Sequence, residues 1–213
     1  MATEEGGSVE TRSTSSGHEV LYFAYGANMN RDVFLGRRRF RPLSTETAVL
    51  PGYELLFAAR GMTFLEPAFA ALRPTAAACV HGVLYCLRKD EAERLHRLEN
   101  GYAQLRVSVR VRESDVVEAY TYNIPELTHG LLPSRRYLRL LCDGARAVGL
   151  PPEYVAALAG HSSKYVPILS PLAAVVAPIV EAALLWTPAR PSLRARGSPE
   201  ERPRTVSSRR GGP

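Results

Sequence analysis

Glu99 is the residue in this sequence whose type and setting best suit acid–base chemistry. The run Arg88 to Gly101 reads as a helix: Asp90 and Glu93 have the spacing of a capping box, and Asn100-Gly101 is a credible stop. Glu99 is then the last helical residue. With residues placed about 100° apart, Ala92, Leu95 and Leu98 span one arc and Glu99 falls between Ala92 and Leu95, inside the apolar stripe. Glu91 shares that arc but sits in the first turn, where the helix dipole favours negative charge; in the last turn it does not. A carboxylate aimed at the core from a negative helix end suits proton transfer. The structural alternative is a pair with an arginine such as Arg106.

Two more side chains qualify. Pro133-Ser134 opens a helix running through Val148 and closed by Gly149, on which Tyr137 shares a face with Leu140, Leu141, Gly144, Ala145 and Val148. An inward tyrosine needs a partner for its hydroxyl, which a substrate or a backbone carbonyl could equally supply. His81 lies in the apolar run Ala78 to Leu87; it is a candidate acid or base, although a lone strand histidine is more often a structural donor.

These groups need a frame. Val20 to Met29 (V-L-Y-F-A-Y-G-A-N-M) is aromatic and apolar up to Gly26 and polar at Asn28, a buried strand leading into a tight turn. Without a Cβ at Gly26, successive N–H groups there can form a concave donor site for an anion or a developing oxyanion. Neither G-x-G-x-x-G nor the Gly-Lys-Ser/Thr of a P-loop is present, so nucleotide readings of this turn fail. Asn30 to Gly36 can form a short helix capped by Asn30, and Arg37-Arg38-Arg39 reads as a solvated edge. Leu50 to Tyr53 is turn chemistry before a strand at Glu54 to Ala58, and Arg60 to Thr75, with two prolines and no clean period, reads as a long loop. The Ala78 to Leu87 strand is interrupted at His81-Gly82, as a bulge or close backbone contact would require. Gln104 to Val111 and Val116 to Ile124 alternate as one-side-buried strands joined into an antiparallel hairpin. Pro151-Pro152 start a short helix ended by Gly160.

Composition limits the partners. The formal charge of +6 is concentrated in the tail from Thr187, with seven arginines against two glutamates; the mildly basic remainder gives no reason to expect a nucleic acid. Residues 1–17 and 187–213 have too little apolar content to offset their ordering entropy and are expected to be disordered. Residues 18–160 form the expected domain, followed by an apolar, helical segment at 161–186. Within it, 165–186 is long enough to span a bilayer, but Pro167, Pro171, Pro178 and many alanines favour a packed or surface-bound helix. Cys79, Cys86 and Cys142 lack metal spacing and read as buried free thiols, and no basic segment precedes an apolar one at the N-terminus. A cytoplasmic location is the expectation, with membrane association through the apolar segment as the alternative.

Taken together, Y-F-A-Y-G-A-N-M, P-G-Y-E-L-L-F, H-G-V-L-Y-C-L, the helix end R-L-E-N and G-L-P-P-E-Y resemble the γ-glutamylcyclotransferase family from about Leu21 to Leu158. The resemblance implies a mixed α/β (α+β) fold, a small, largely antiparallel β-barrel with flanking helices and the motif loop at its mouth. It also implies cofactor-free, metal-free conversion of a small γ-glutamyl compound to 5-oxoproline and a free amino acid or amine. Glu99 matches the family's base, Tyr22, Phe23, Ala24, Tyr25, Gly26 and Ala27 its substrate-binding loop, and Tyr137 its helical binding tyrosine. A γ-glutamylamine or specialised-conjugate cyclotransferase, or a non-catalytic member binding a small acid or a protein, are the other readings. Two departures bear on the donor: Ala27 stands where many relatives carry serine, and Arg106 where they often carry tyrosine.

Overall fold

The computed structural model describes residues 19–62, 66–112 and 115–165. Five strands close a barrel in the order β1-β3-β2-β4-β5. They are β1 (Glu19–Ala24), β2 (Ser44–Met62), β3 (Glu66–Arg88), β4 (Ala103–Arg110) and β5 (Val116–Asn123). All pairings are antiparallel except β1 with β5, which meet in parallel at Tyr22 and Tyr120 and close the wall. Three helices flank it: α1 (Lys89–Leu98), α2 (Arg135–Ala147) and α3 (Pro152–Ala159). The expected mixed fold on a largely antiparallel barrel is present.

Alternation produces the strands as read. In β4, Val107 and Val109 are buried while Arg106, Ser108 and Arg110 are exposed, and β4 pairs with β5 from Ala103–Asn123 to Arg110–Val116. Gly82 marks the predicted close approach: a Cβ there would collide with the Ala24 carbonyl and lie 2.7 Å from the Phe23 ring. Inside, Phe34 stacks on Tyr85 at 4.3 Å and on Phe40 at 4.5 Å, sealing the barrel beside β1.

Several local expectations need correction. Arg60 to Thr75 is not a long loop, because β2 continues to Met62 and β3 begins at Glu66, making a hairpin that extends past the barrel wall. Its prolines misled: Pro67 lies at the strand start and Pro74 beside a register shift, where a missing N–H costs least. Leu50 to Tyr53 likewise does not precede the strand; it lies within β2, as that register shift, with Gly52 at φ +76°. α1 has no capping box, since it starts at Lys89 after Arg88 and places Asp90 and Glu91 in its first turn. Glu99 is the residue just past the helix, its N–H donating to Leu95 O at 2.9 Å. α2 is capped as read, with Ser134 Oγ accepting from Tyr137 N–H at 3.0 Å. All three cysteines are free, but Cys79 is exposed where a buried thiol was expected. Among the described residues no helix is long and apolar enough to cross a membrane, and 166–186 lies outside them.

Candidate active site

Where β1 gives way to the loop at Tyr25 to Asn30, a cavity of about 280 Å³ opens. That size suits a small ligand. Tyr22, Tyr25, Gly26 and Ala27 line it, as do Glu99 and Tyr137, so the three pieces singled out in the sequence meet in one place. Phe23 and Ala24 do not line it. Both are buried in the barrel wall, where the Phe23 carbonyl accepts from Thr121 Oγ1 at 2.8 Å. His81 is elsewhere, 4.7 Å from the Tyr154 ring, and burial lowers its pKa.

The loop offers donors. It tightens into a 3₁₀ turn at Ala27–Met29, with Met29 N–H donating to Gly26 O at 3.0 Å. Ala27, first in the turn, has no acceptor within it for its own N–H. The bare Cα of Gly26 faces Tyr137: an added Cβ would sit 3.4 Å from the Tyr137 hydroxyl, narrowing the space between loop and helix. That hydroxyl accepts from Ala70 N–H at 3.3 Å, which leaves its own hydrogen to donate.

Glu99 is held through its Oε1. Its Oε1 accepts from Arg38 Nη1 at 2.8 Å and from Asn28 Nδ2 at 3.0 Å. Neither of these bonds engages Oε2. Asn28 Nδ2 also donates to the Tyr22 hydroxyl at 2.8 Å, locking the loop to the carboxylate. Helix α1 fixes the other partner: Arg94 donates to the Arg38 carbonyl and stacks on Phe40 at 4.5 Å, and Glu91 Oε1 accepts from Arg41 N–H at 2.6 Å. Glu91, on the same helical arc, is thereby a structural clamp.

Tyrosines surround this carboxylate. Burial, reinforced by the negative charge of Glu99, pushes Tyr102 and Tyr122 up to about 12 and raises Tyr22 well above the phenol range. Burial first, then neighbouring phenols, raises Tyr25, while burial dominates the rise of Tyr137. Near neutrality all five are O–H groups, so they serve as hydrogen-bond donors and shape, with no phenolate among them. Among the described residues no three His, Cys, Asp or Glu side chains converge as a metal site requires.

Sequence reasoning missed Arg38, Asn28, Phe69, Ala70 and Arg136, all of which line the cavity. Asn28 had a signal, standing where the opening motif turns polar. Arg38 had none beyond a basic run read as solvated. The suggested Glu99–Arg106 pair does not form, because Arg106 points outward from β4 and donates to Tyr120 at 3.2 Å.

Residues 79–158 match the AIG2-like family. The chain is 34% identical over 145 residues to γ-glutamyl cyclotransferase gliK of Claviceps purpurea, covering 62% of this chain and 65% of that protein. It is 25% identical over 172 residues to γ-glutamyl cyclotransferase aclK of Aspergillus oryzae, covering 70% and 63%. Over these regions the chain is similar to the AIG2-like family and to γ-glutamyl cyclotransferases. It spans slightly less than two thirds of the length of these relatives. A solved structure of a γ-glutamyl cyclotransferase has the same fold, with a TM-score of 0.61 at 24% identity over 68% of this chain and 89% of that one. The human protein loc79017 does too, at 0.61 and 24% over 69% and 90%.

Proposed function

We propose that this protein is a γ-glutamylcyclotransferase. The observation that carries this reading is a carboxylate held through Oε1, in a small cavity shared with a donor-bearing loop and a tyrosine hydroxyl. Its similarity to proteins named γ-glutamyl cyclotransferase supports it. Glu99 Oε2 takes a proton from the α-ammonium of the donor. The freed amine attacks the γ-carbonyl, the oxyanion meets N–H groups of the Gly26–Ala27 turn, and the C–N bond breaks as a proton passes to the leaving nitrogen. The products are 5-oxoproline and a free amino acid or amine. Five-membered ring closure is favoured by proximity, so the site chiefly holds the folded conformer and stabilises charge. Tyr137 donates to the glutamyl portion, and the reaction as written uses no cofactor.

The test is release of 5-oxoproline from a panel of γ-glutamyl dipeptides. Glu99→Gln is expected to lower turnover about 10²–10⁴-fold while donor binding persists, because it removes proton transfer with little change in volume. Turnover at the wild-type rate in that variant would refute the assignment of the base. No product from any donor, in a folded sample, would leave a small-acid-binding member as the remaining reading.

A further inference from the structure

Charge in the cavity wall bears on the donor's departing group. Three arginines line the cavity, Arg37, Arg38 and Arg136, against one carboxylate, Glu99. Arg38 is paired with Glu99 at 2.8 Å. Arg136 approaches Glu66 at 3.4 Å, and that carboxylate already accepts from the Ser134 N–H and hydroxyl. Arg37 is the last residue of the π-helical turn Asp32–Arg37; it is exposed, and among the described residues no carboxylate lies within ion-pair distance of it. A γ-glutamyl moiety cannot neutralise it in net terms, because its α-carboxylate and α-ammonium cancel. A cavity that has bound this zwitterion still holds, among the described residues, one guanidinium without a carboxylate partner, on an exposed residue next in sequence to the one that grips Glu99.

We infer that Arg37 is a specificity-determining residue that reads a carboxylate on the departing group of the donor. The inference rests on the cyclotransferase reading and deepens it. A guanidinium presents a planar fork matched to a carboxylate, and an exposed position suits the portion of the donor that leaves. Because Arg37 is exposed, the discrimination is modest and weakened by salt.

The test compares γ-glutamylalanine with γ-glutamylethylamine, which differ only in the carboxylate of the departing group. Equilibrium binding and 5-oxoproline release are measured for wild type, Arg37→Gln and Arg37→Lys. Wild type is expected to bind γ-glutamylalanine about fivefold more tightly, with the gap narrowing in high salt. Arg37→Gln brings the two donors within about twofold, and Arg37→Lys keeps part of the preference. Equal binding by wild type, or a preference that survives Arg37→Gln, overturns the inference. If neither donor is turned over but the binding preference and its loss are seen, the cyclotransferase reading fails and the role of Arg37 stands. Turnover of both donors with equal binding gives the reverse.

Discussion

The two hydrogen bonds onto Glu99 Oε1 make a prediction about rate. If Arg38 and Asn28 fix the carboxylate so that Oε2 meets the reacting nitrogen, Arg38→Ala should lower kcat about ten- to a hundredfold with a smaller change in KM, since misplacement of a catalytic group by about 1 Å has that scale. Arg38→Lys should recover part of the loss; steady-state kinetics on both variants decide it, and a change in KM alone would make Arg38 a binding residue. Tyr137→Phe should act the other way, raising KM about two- to tenfold with little effect on kcat, because it removes one donor hydrogen bond and no proton-transfer group. Equal loss in kcat would place its hydroxyl on the transition state. Glu99 and Tyr137 were legible because helical periodicity gives a side chain a direction. Arg38 was not: its partner is 61 residues away, and nothing in a run of three arginines tells which one turns inward.

At the scale of elements, α2 must lie close against the loop that follows β1, and Gly144 permits it. A Cβ at Gly144 would come within 2.9 Å of the Asn30 Cα, a backbone atom that cannot swing aside. Gly144→Ala should therefore cost about 1–3 kcal/mol of stability by overpacking. It should also raise KM, since the same helix carries Tyr137; urea denaturation alongside kinetics tests both, and wild-type stability would show that the loop yields. The sequence placed Gly144 on the inward face but could not name what it meets, because periodicity gives a face and not a neighbour. The β2–β3 hairpin was lost for a different reason. Ala68, Ala70 and Ala71 are small residues of low strand preference, and they are buried there because Ala71 packs with Ala58 and Ala59 of β2, Ala68 and Ala70 join the main core, and Ala70 N–H donates to the Tyr137 hydroxyl of α2. Tertiary packing made the strand.

Over the whole molecule, the barrel supplies the loop, α1 the carboxylate and α2 the tyrosine, so the site depends on how the helices are fastened to the sheet. One fastening is Glu66, at the start of β3 and 4% exposed, which accepts from Ser134 N–H at 2.9 Å and Ser134 Oγ at 2.6 Å. Ser134 in turn caps α2 and bridges to Lys164. No sequence signal pointed to it, because Glu66 lies in the segment expected to be a loop and its partner is 68 residues away. Burial raises the Glu66 pKa above the ordinary carboxylate value, and the Ser134 and Arg136 contacts oppose that rise without cancelling it. Between the unfolded value and this raised folded one, the folded chain holds more protons than the unfolded chain. The contribution of Glu66 is therefore fully present below the unfolded pKa and is lost as pH rises through the folded one. Glu66→Gln abolishes this titration. The stability of wild type relative to Glu66→Gln should fall as pH is raised from about 4 to about 7 and level off once Glu66 is ionised. Urea midpoints for both proteins across that range measure it directly. A relative stability that climbed with pH would mean that the hydrogen bonds and Arg136 outweigh burial, making Glu66 a net-favourable buried anion in this fold.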